Sequence, residues 1–198
     1  MAIWMKKLNK DFWEKKYQLG EMGWDIGHIS TPLKKYIDQL KDKNLKILIP
    51  GAGNAYELLY LLEKGFTNVF VIDIAKQPLE NIKNRISDFP RNQLLEGNFF
   101  DLELDNFDLI LEQTFFCALD PSLRMEYVLK MKQLLKPNGK LAGLLFNFPL
   151  TESGPPFGGS LSEYKSLFQE HFQIKILETA HNSIKPRADK ELFFIFES

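Results

Sequence analysis

The chain has 198 residues, about the length of one domain and enough to bury a substantial core. Its 44% hydrophobic and 26% charged residues are ordinary for a soluble globular protein, and a net charge of -1 gives no electrostatic reason to expect nucleic acid or an anionic membrane as partner. One cysteine, Cys117, excludes an internal disulfide framework and suits a reducing cytoplasm, while no apolar run approaches the ~20 residues of a membrane span.

The opening residues, MAIWMKKLNKDFWEKKY, lack the long apolar run of a secretory leader. Up to residue 44 the chain mixes aromatics with glycines: Phe12, Trp13 and Tyr17, then Gly20, Gly23, Trp24 and Gly27. This pattern ahead of any core strand reads as an arm or lid folded over something, with simple packing on a sheet as the alternative. Ser30 or Thr31 is expected to cap a helix that has Pro32 in its first turn and runs to about Lys43.

From residue 45 strand and helix signals alternate. Residues 45–73 (LKILIPGAGNAYELLYLLEKGFTNVFVID) read as strand, glycine turn, helix and strand, closing on an acid, Asp73. A helix is expected from Pro78 to about Ser87, a weak strand over 93–96 and a buried strand over 106–112. Asp120-Pro121 opens a helix with Leu123, Tyr127, Val128, Met131, Leu134 and Leu135 on one stripe. Lys136-Pro137-Asn138-Gly139 reads as a turn before a strand over 140–146. A long segment rich in proline and glycine (147–160) suggests a functional loop. A helix (161–170) and two strands (172–178 and 191–196), a candidate antiparallel pair, complete the chain.

This alternation predicts one α/β domain over residues 1–198, a doubly wound Rossmann-like sheet, mostly parallel with an antiparallel terminal strand. Residues 1–44 form the arm and first helix, and 45–198 the core. No repeat, low-complexity tract or linker interrupts it, and nothing argues for an assembly beyond a monomer or weak dimer. In such sheets a ligand sits at the carboxyl ends of the strands. That assigns binding to the loops at 51–53, 73–74, 98–99, 112–117 and 146–157.

Gly51 and Gly53 let the backbone approach a ligand closely, and an acid about 20 residues on sits where a ribose diol lies in nucleotide-binding folds. The third glycine of the dinucleotide fingerprint is absent, since Asn54-Ala55-Tyr56 follow. A ligand without a pyrophosphate does not need a bare helix N-terminus, and S-adenosylmethionine (SAM) is such a ligand. Asp73 alone does not separate SAM from NAD. The missing glycine and the lack of room for a second catalytic domain favour SAM.

Several stretches together resemble the thiopurine methyltransferase family of class I SAM-dependent methyltransferases, and within it the halide, thiocyanate and thiol methyltransferase branch. They are WEKKYQLGEMGWDIG (13–27), IPGAGNAYE (49–57), FDLILEQTFFCALDPSLR (107–124), LLKPNGKL (134–141), SGPPF (153–157) and SIKPRADKEL (183–192). The resemblance implies SAM as cofactor, S-adenosylhomocysteine as product and a small-molecule acceptor. It implies cofactor contacts at Trp13, Tyr17, Trp24, Gly51, Gly53, Asp73, Ile74, Asn98, Phe99 and Gln113. Asp73 would accept from both ribose hydroxyls, Asn98 would face the adenine edge, Phe99 would pack on the adenine face, and the two tryptophans would close over the sulfonium. Arg124 matches a family arginine near the substrate pocket. The chain departs from the halide branch at Tyr17, Asn98 and Gln113, where that branch often carries tryptophan, an acid and tyrosine. A pocket tyrosine of that branch is also replaced, by Phe146 or Phe148.

The implied reaction is an in-line displacement in which the protein aligns two reactants and excludes water. A soft anion (thiolate, hydrosulfide, thiocyanate or halide) needs no strong base, and His28, His171 and His181 form no base motif. No residue is therefore expected to be catalytic and no metal is implied. Phe115, Phe116, Phe146, Phe148 and Phe157, with Cys117 at the rim, are expected to form a dry acceptor wall. Transfer to oxygen, nitrogen or another thiol scaffold, SAM binding without turnover, and a nucleotide-dependent oxidoreductase remain as alternatives.

Overall fold

The computed structural model describes residues 8–198. Residues 1–7, the start of the arm, lie outside the described residues. Helix α1 (Lys10–Gln18) opens at Asn9, whose side chain accepts from the Phe12 N–H at 3.1 Å, and lies within the arm. α2 (Thr31–Ile37) follows. The core then alternates: β1 (Ile47–Pro50), α3 (Tyr56–Glu63), β2 (Val69–Asp73), α4 (Lys76–Arg85), β3 (Leu94–Glu96), β4 (Phe107–Gln113), α5 (Arg124–Leu134), β5 (Leu135–Phe146), α6 (Leu161–Phe168), β6 (Gln173–Thr179) and β7 (Glu191–Glu197).

The strands form one sheet in the order β3-β2-β1-β4-β5-β7-β6. Pairings among β1 to β5 are parallel, and β7 runs antiparallel between β5 and β6. The expected terminal antiparallel pair is present, with the last strand inserted inside the sheet. Both faces are covered, which is why the central strands read as unbroken apolar runs. In β1, Ile47 and Ile49 turn to one face with Leu33, Ile37, Leu58 and Leu61, while Leu48 joins Phe107, Tyr127, Val128 and Met131 on the other. Strand order reverses between β1 and β4, so the crevice for a ligand opens at their carboxyl ends.

Four local expectations are corrected. α2 ends at Ile37 and does not reach Lys43, because its buried residues are Pro32, Leu33, Tyr36 and Ile37, and only polar chain plus Leu40 follows. Ser30 occupies the N-cap position, yet its hydroxyl makes no capping bond and is buried without a partner among the described residues. Asp120-Pro121 opens a 3-10 turn, Pro121–Leu123, with Asp120 accepting from Ser122, and the α-helix starts only at Arg124. The Lys136 to Gly139 turn is absorbed as an irregularity within β5, where pairing shifts from Phe107↔Leu135 to Leu109↔Lys140.

Candidate active site

At the carboxyl ends of the parallel strands, under the arm, lies one cavity of about 1110 Å³. That exceeds the ~300–1,000 Å³ of a typical single-ligand pocket, and so leaves space for a nucleoside and a second molecule. Trp13, Tyr17, Trp24, Gly51, Asp73, Ile74, Asn98 and Phe99 border it, as do Phe115, Cys117 and Phe146. Gly53, Gln113, Phe116, Arg124, Phe148 and Phe157 do not.

The glycine turn is where backbone conformation matters. Gly51 and Gly53 have φ +55° and +52°, in the left-handed region that a side chain strains. A Cβ on Gly51 would lie 2.2 Å from the Phe115 ring, so the turn is also the seat of that phenylalanine. The Gly53 N–H donates to Asp73 Oδ2 at 3.0 Å and the Ala75 N–H to Oδ1 at 2.9 Å. Asp73 borders the cavity, and each carboxylate oxygen has acceptor capacity beyond its one geometric hydrogen bond. Burial pushes the Asp73 carboxyl up to about 6, against the pull of the Ala75, Gly53 and Ile74 N–H groups.

The arm closes over this turn through aromatics and polar ties. Trp24 meets Trp13 edge to face at 5.5 Å and Tyr17 at 5.7 Å. Burial, with Asp73 nearby, raises the Tyr17 phenol well above its ordinary value, so it stays neutral. Glu14 accepts from the Lys76 N–H at 2.6 Å, and Lys10 pairs with Glu96 at 2.5 Å. Asp25 accepts from Asn54 and from the Tyr56 hydroxyl. If these ties are completed by a ligand beneath them, hydrogen exchange over residues 8–28 should slow several-fold on adding SAM; equal protection with and without it would make the arm a permanent part of the fold.

On the β3 side, the Asn98 side chain accepts from the Phe100 N–H and donates to Asp101, both at 3.2 Å. Its amide keeps one further N–H and one further lone pair. Gln113 ends β4 outside the cavity, and its Oε1 is buried with no hydrogen-bond partner among the described residues. Arg124 is a clasp between helices: it pairs with Glu163, donates to the Gly158 carbonyl at 2.6 Å and lies 4.9 Å over the Phe116 ring. Phe116 and Phe157 are core residues, and the Phe157 N–H donates to the Cys117 carbonyl at 2.7 Å. Burial raises the Cys117 thiol far above its ordinary value, which removes it as a nucleophile.

The sequence alone assigns no role to Arg187. It borders the cavity, donates to the Trp24 carbonyl at 2.7 Å and to Glu191 at 3.2 Å, and lies 5.5 Å from the Phe146 ring centre. Leu119, Leu123, Pro155 and Pro156 line the cavity as well. No histidine borders it. Asp120 does, but its two bonds from Ser122 hold its carboxyl below the usual range and make it a poor base.

The thiopurine S-methyltransferase family model matches residues 8–197. The chain belongs to that family. As a member it is a SAM-dependent methyltransferase. Its sequence is 32% identical over 159 residues to "Probable thiol methyltransferase 2" of Arabidopsis thaliana, covering 78% of this chain and 70% of the relative. It is 29% identical to thiocyanate methyltransferase 1 of Brassica oleracea, covering 90% and 81%. It is 26% identical to a thiopurine S-methyltransferase of Vibrio parahaemolyticus, covering 81% and 82%. Among solved structures it is similar in fold to the Burkholderia thailandensis 1,6-didemethyltoxoflavin-N1-methyltransferase, solved with bound 1,6-didemethyltoxoflavin and S-adenosylhomocysteine. There the TM-score is 0.74 at 17% identity, over 96% of this chain and 86% of that one. Among the described residues no helix is long and apolar enough to cross a membrane, and no cluster of three or more His, Cys, Asp or Glu is placed to hold a metal ion.

Proposed function

We propose that this methyltransferase acts on a small, soft, anionic nucleophile: a thiolate or hydrosulfide first, thiocyanate or a halide second. The observation that carries the reading is the makeup of the cavity lining. It includes Phe115, Phe146, Leu119, Pro155 and Pro156 with the Arg187 cation, and no histidine. An apolar wall strips water from an anion and a fixed cation holds it; of the carboxylates that also line the cavity, Asp120 and Glu126 lie nearest this wall in sequence, and Asp120, held by Ser122, is a poor base.

The cofactor residues fit their proposed group. The two lone pairs left on Asp73 suit a vicinal diol, and glycines at positive φ give a close approach to the β1 turn. Asp73 would hold the ribose hydroxyls, Phe99 and Ile74 would flank the base, and Trp13, Tyr17 and Trp24 would cover the sulfonium with aromatic faces. Asn98 would reach the adenine edge with the capacity its turn leaves over. SAM, when bound, supplies a methyl group activated by its positive sulfur. The protein's part is alignment, dehydration and charge: the Phe115 ring lines the cavity over Gly51, and Arg187 would fix the incoming anion. The buried free thiol agrees with work in a reducing cytoplasm.

A panel of hydrosulfide, thiocyanate, iodide, aromatic thiols and simple phenols with methyl-labelled SAM tests the reading. Thiols and hydrosulfide should be the best acceptors, with halides slower. Turnover confined to phenols would contradict the soft-anion assignment.

A further inference from the structure

β4 ends in a glutamate that the chemistry above does not use. Glu112 is fully buried and does not border the cavity. Its Oε1 accepts from the N–H groups of Phe115 (2.7 Å) and Phe116 (3.0 Å), and its Oε2 from the Tyr127 hydroxyl (2.6 Å). Burial raises its carboxyl to about 7, against the pull of those three donors. The backbone it braces is strained: Thr114, between Gln113 and Phe115, sits at φ +58°. A β-branched residue there costs of order 1–3 kcal/mol and persists only where surrounding structure over-determines it. On the other side β5 passes so close that a Cβ on Gly143 would fall 2.1 Å from the Glu112 carbonyl oxygen, so the two backbones are packed directly on each other there.

The braced turn carries Phe115, whose ring lies directly over Gly51 and 5.2 Å from the Phe99 ring. Two and three residues on, Cys117 and Ala118 border the cavity. We propose that Glu112 is a positioning residue for methyl transfer: by gripping two successive N–H groups it holds a strained turn, and through that turn it fixes Phe115 in the cavity lining, over Gly51 and beside Phe99. It touches neither reactant. A side chain that merely filled the core here would be apolar, since a buried carboxylate is costly unless its acceptors are used. The inference rests on the methyl-transfer reading.

A double-mutant cycle tests it, because a residue acting through another loses its effect when that other is removed. With SAM saturating, kcat/KM for a thiol is measured in wild type, Glu112→Ala, Phe115→Ala and the double variant. Glu112→Ala should lose 20-fold or more, and in the Phe115→Ala background it should cost no more than twofold further. Glu112→Gln should recover most of the loss, since one amide oxygen can still accept from both N–H groups and the Tyr127 hydroxyl can turn to accept. Losses that multiply, or a Glu112→Ala enzyme with wild-type kinetics, would overturn the proposal. Should Glu112→Ala fail to fold, Tyr127→Phe replaces it in the same cycle, with a smaller loss that must likewise vanish once Phe115 is gone. A wild-type chain that binds SAM but methylates no acceptor would contradict the functional reading itself, a result distinct from either pattern in the cycle.

Discussion

Replacing Asp73 by alanine should weaken SAM binding about 100-fold or more, the largest single loss expected from any one side chain. Two hydrogen bonds to a buried carboxylate are removed at once, each worth about 1.5–3 kcal/mol. The glycine turn is also released, because Asp73 Oδ2 holds the Gly53 N–H at 3.0 Å. The same carboxylate sets the pH dependence. Its folded value is raised to about 6, and ribose hydroxyls donate to the ionised form. Binding therefore favours the charged state and releases a proton wherever the free carboxyl is protonated. Affinity should climb with pH through about 6, level off above it, and fall by up to tenfold per unit below it. For the unliganded chain the sign is opposite: the raised value means the folded state holds its proton more tightly than the unfolded one, so this group favours folding as pH drops through 6. Calorimetry from pH 5 to 8 on wild type and Asp73→Ala reads both effects. An affinity unchanged by the substitution would place the ribose elsewhere.

The second large effect is expected at Arg187. Its pair with Glu191 is almost inaccessible to solvent on both sides, and removing one partner strands the other charge. Such a loss typically destabilises by about 3–5 kcal/mol, which for a chain of this size corresponds to roughly 10 °C in Tm. Arg187→Met should show that shift. It should also lose most of its kcat/KM for thiolates and iodide, because the Arg187 cation is gone from the cavity lining and the Trp24 carbonyl loses its donor. The double variant Arg187→Met with Glu191→Leu separates the two consequences. Stability should largely return, since no buried charge is left unpaired, while turnover should stay low. A double variant that recovers turnover would make Arg187 a purely structural residue.

What was legible in the sequence follows from what is local. The unit over residues 45–73 announces itself because periodicity, glycine placement and the closing acid are all set within 29 residues, and β1, α3 and β2 follow in the expected order, with β2 ending on Asp73. The arm was legible from its tryptophans and glycines, though not that it holds α1 or that Asp25 ties it to Asn54. The phenylalanines illustrate the limit. Phe115 and Phe116 are adjacent and equally apolar, yet one borders the cavity and the other is core, because the strained turn at Thr114 decides which way each faces. Phe148 pairs with Phe146 at 5.1 Å but stays off the cavity, behind its bridge to Gly159. Arg187 lies within SIKPRADKEL, one of the stretches that carry the family resemblance, yet its role is not legible there. It lies in a polar link where basic residues are unremarkable, and its partner carbonyl is 163 residues away. Only the folded chain brings the two together.

The central claim is that SAM held over Asp73 meets an acceptor that arrives already ionised, with no base supplied by the protein. The most direct test is kcat/KM against pH from 6.5 to 9.5 at saturating SAM, for a thiol of known pKa and for iodide. The thiol should rise tenfold per pH unit up to its own pKa and then flatten, following its thiolate fraction, while iodide stays level throughout. A thiol profile with a fixed inflection that ignores the acceptor's pKa would reveal a base on the protein and contradict the account.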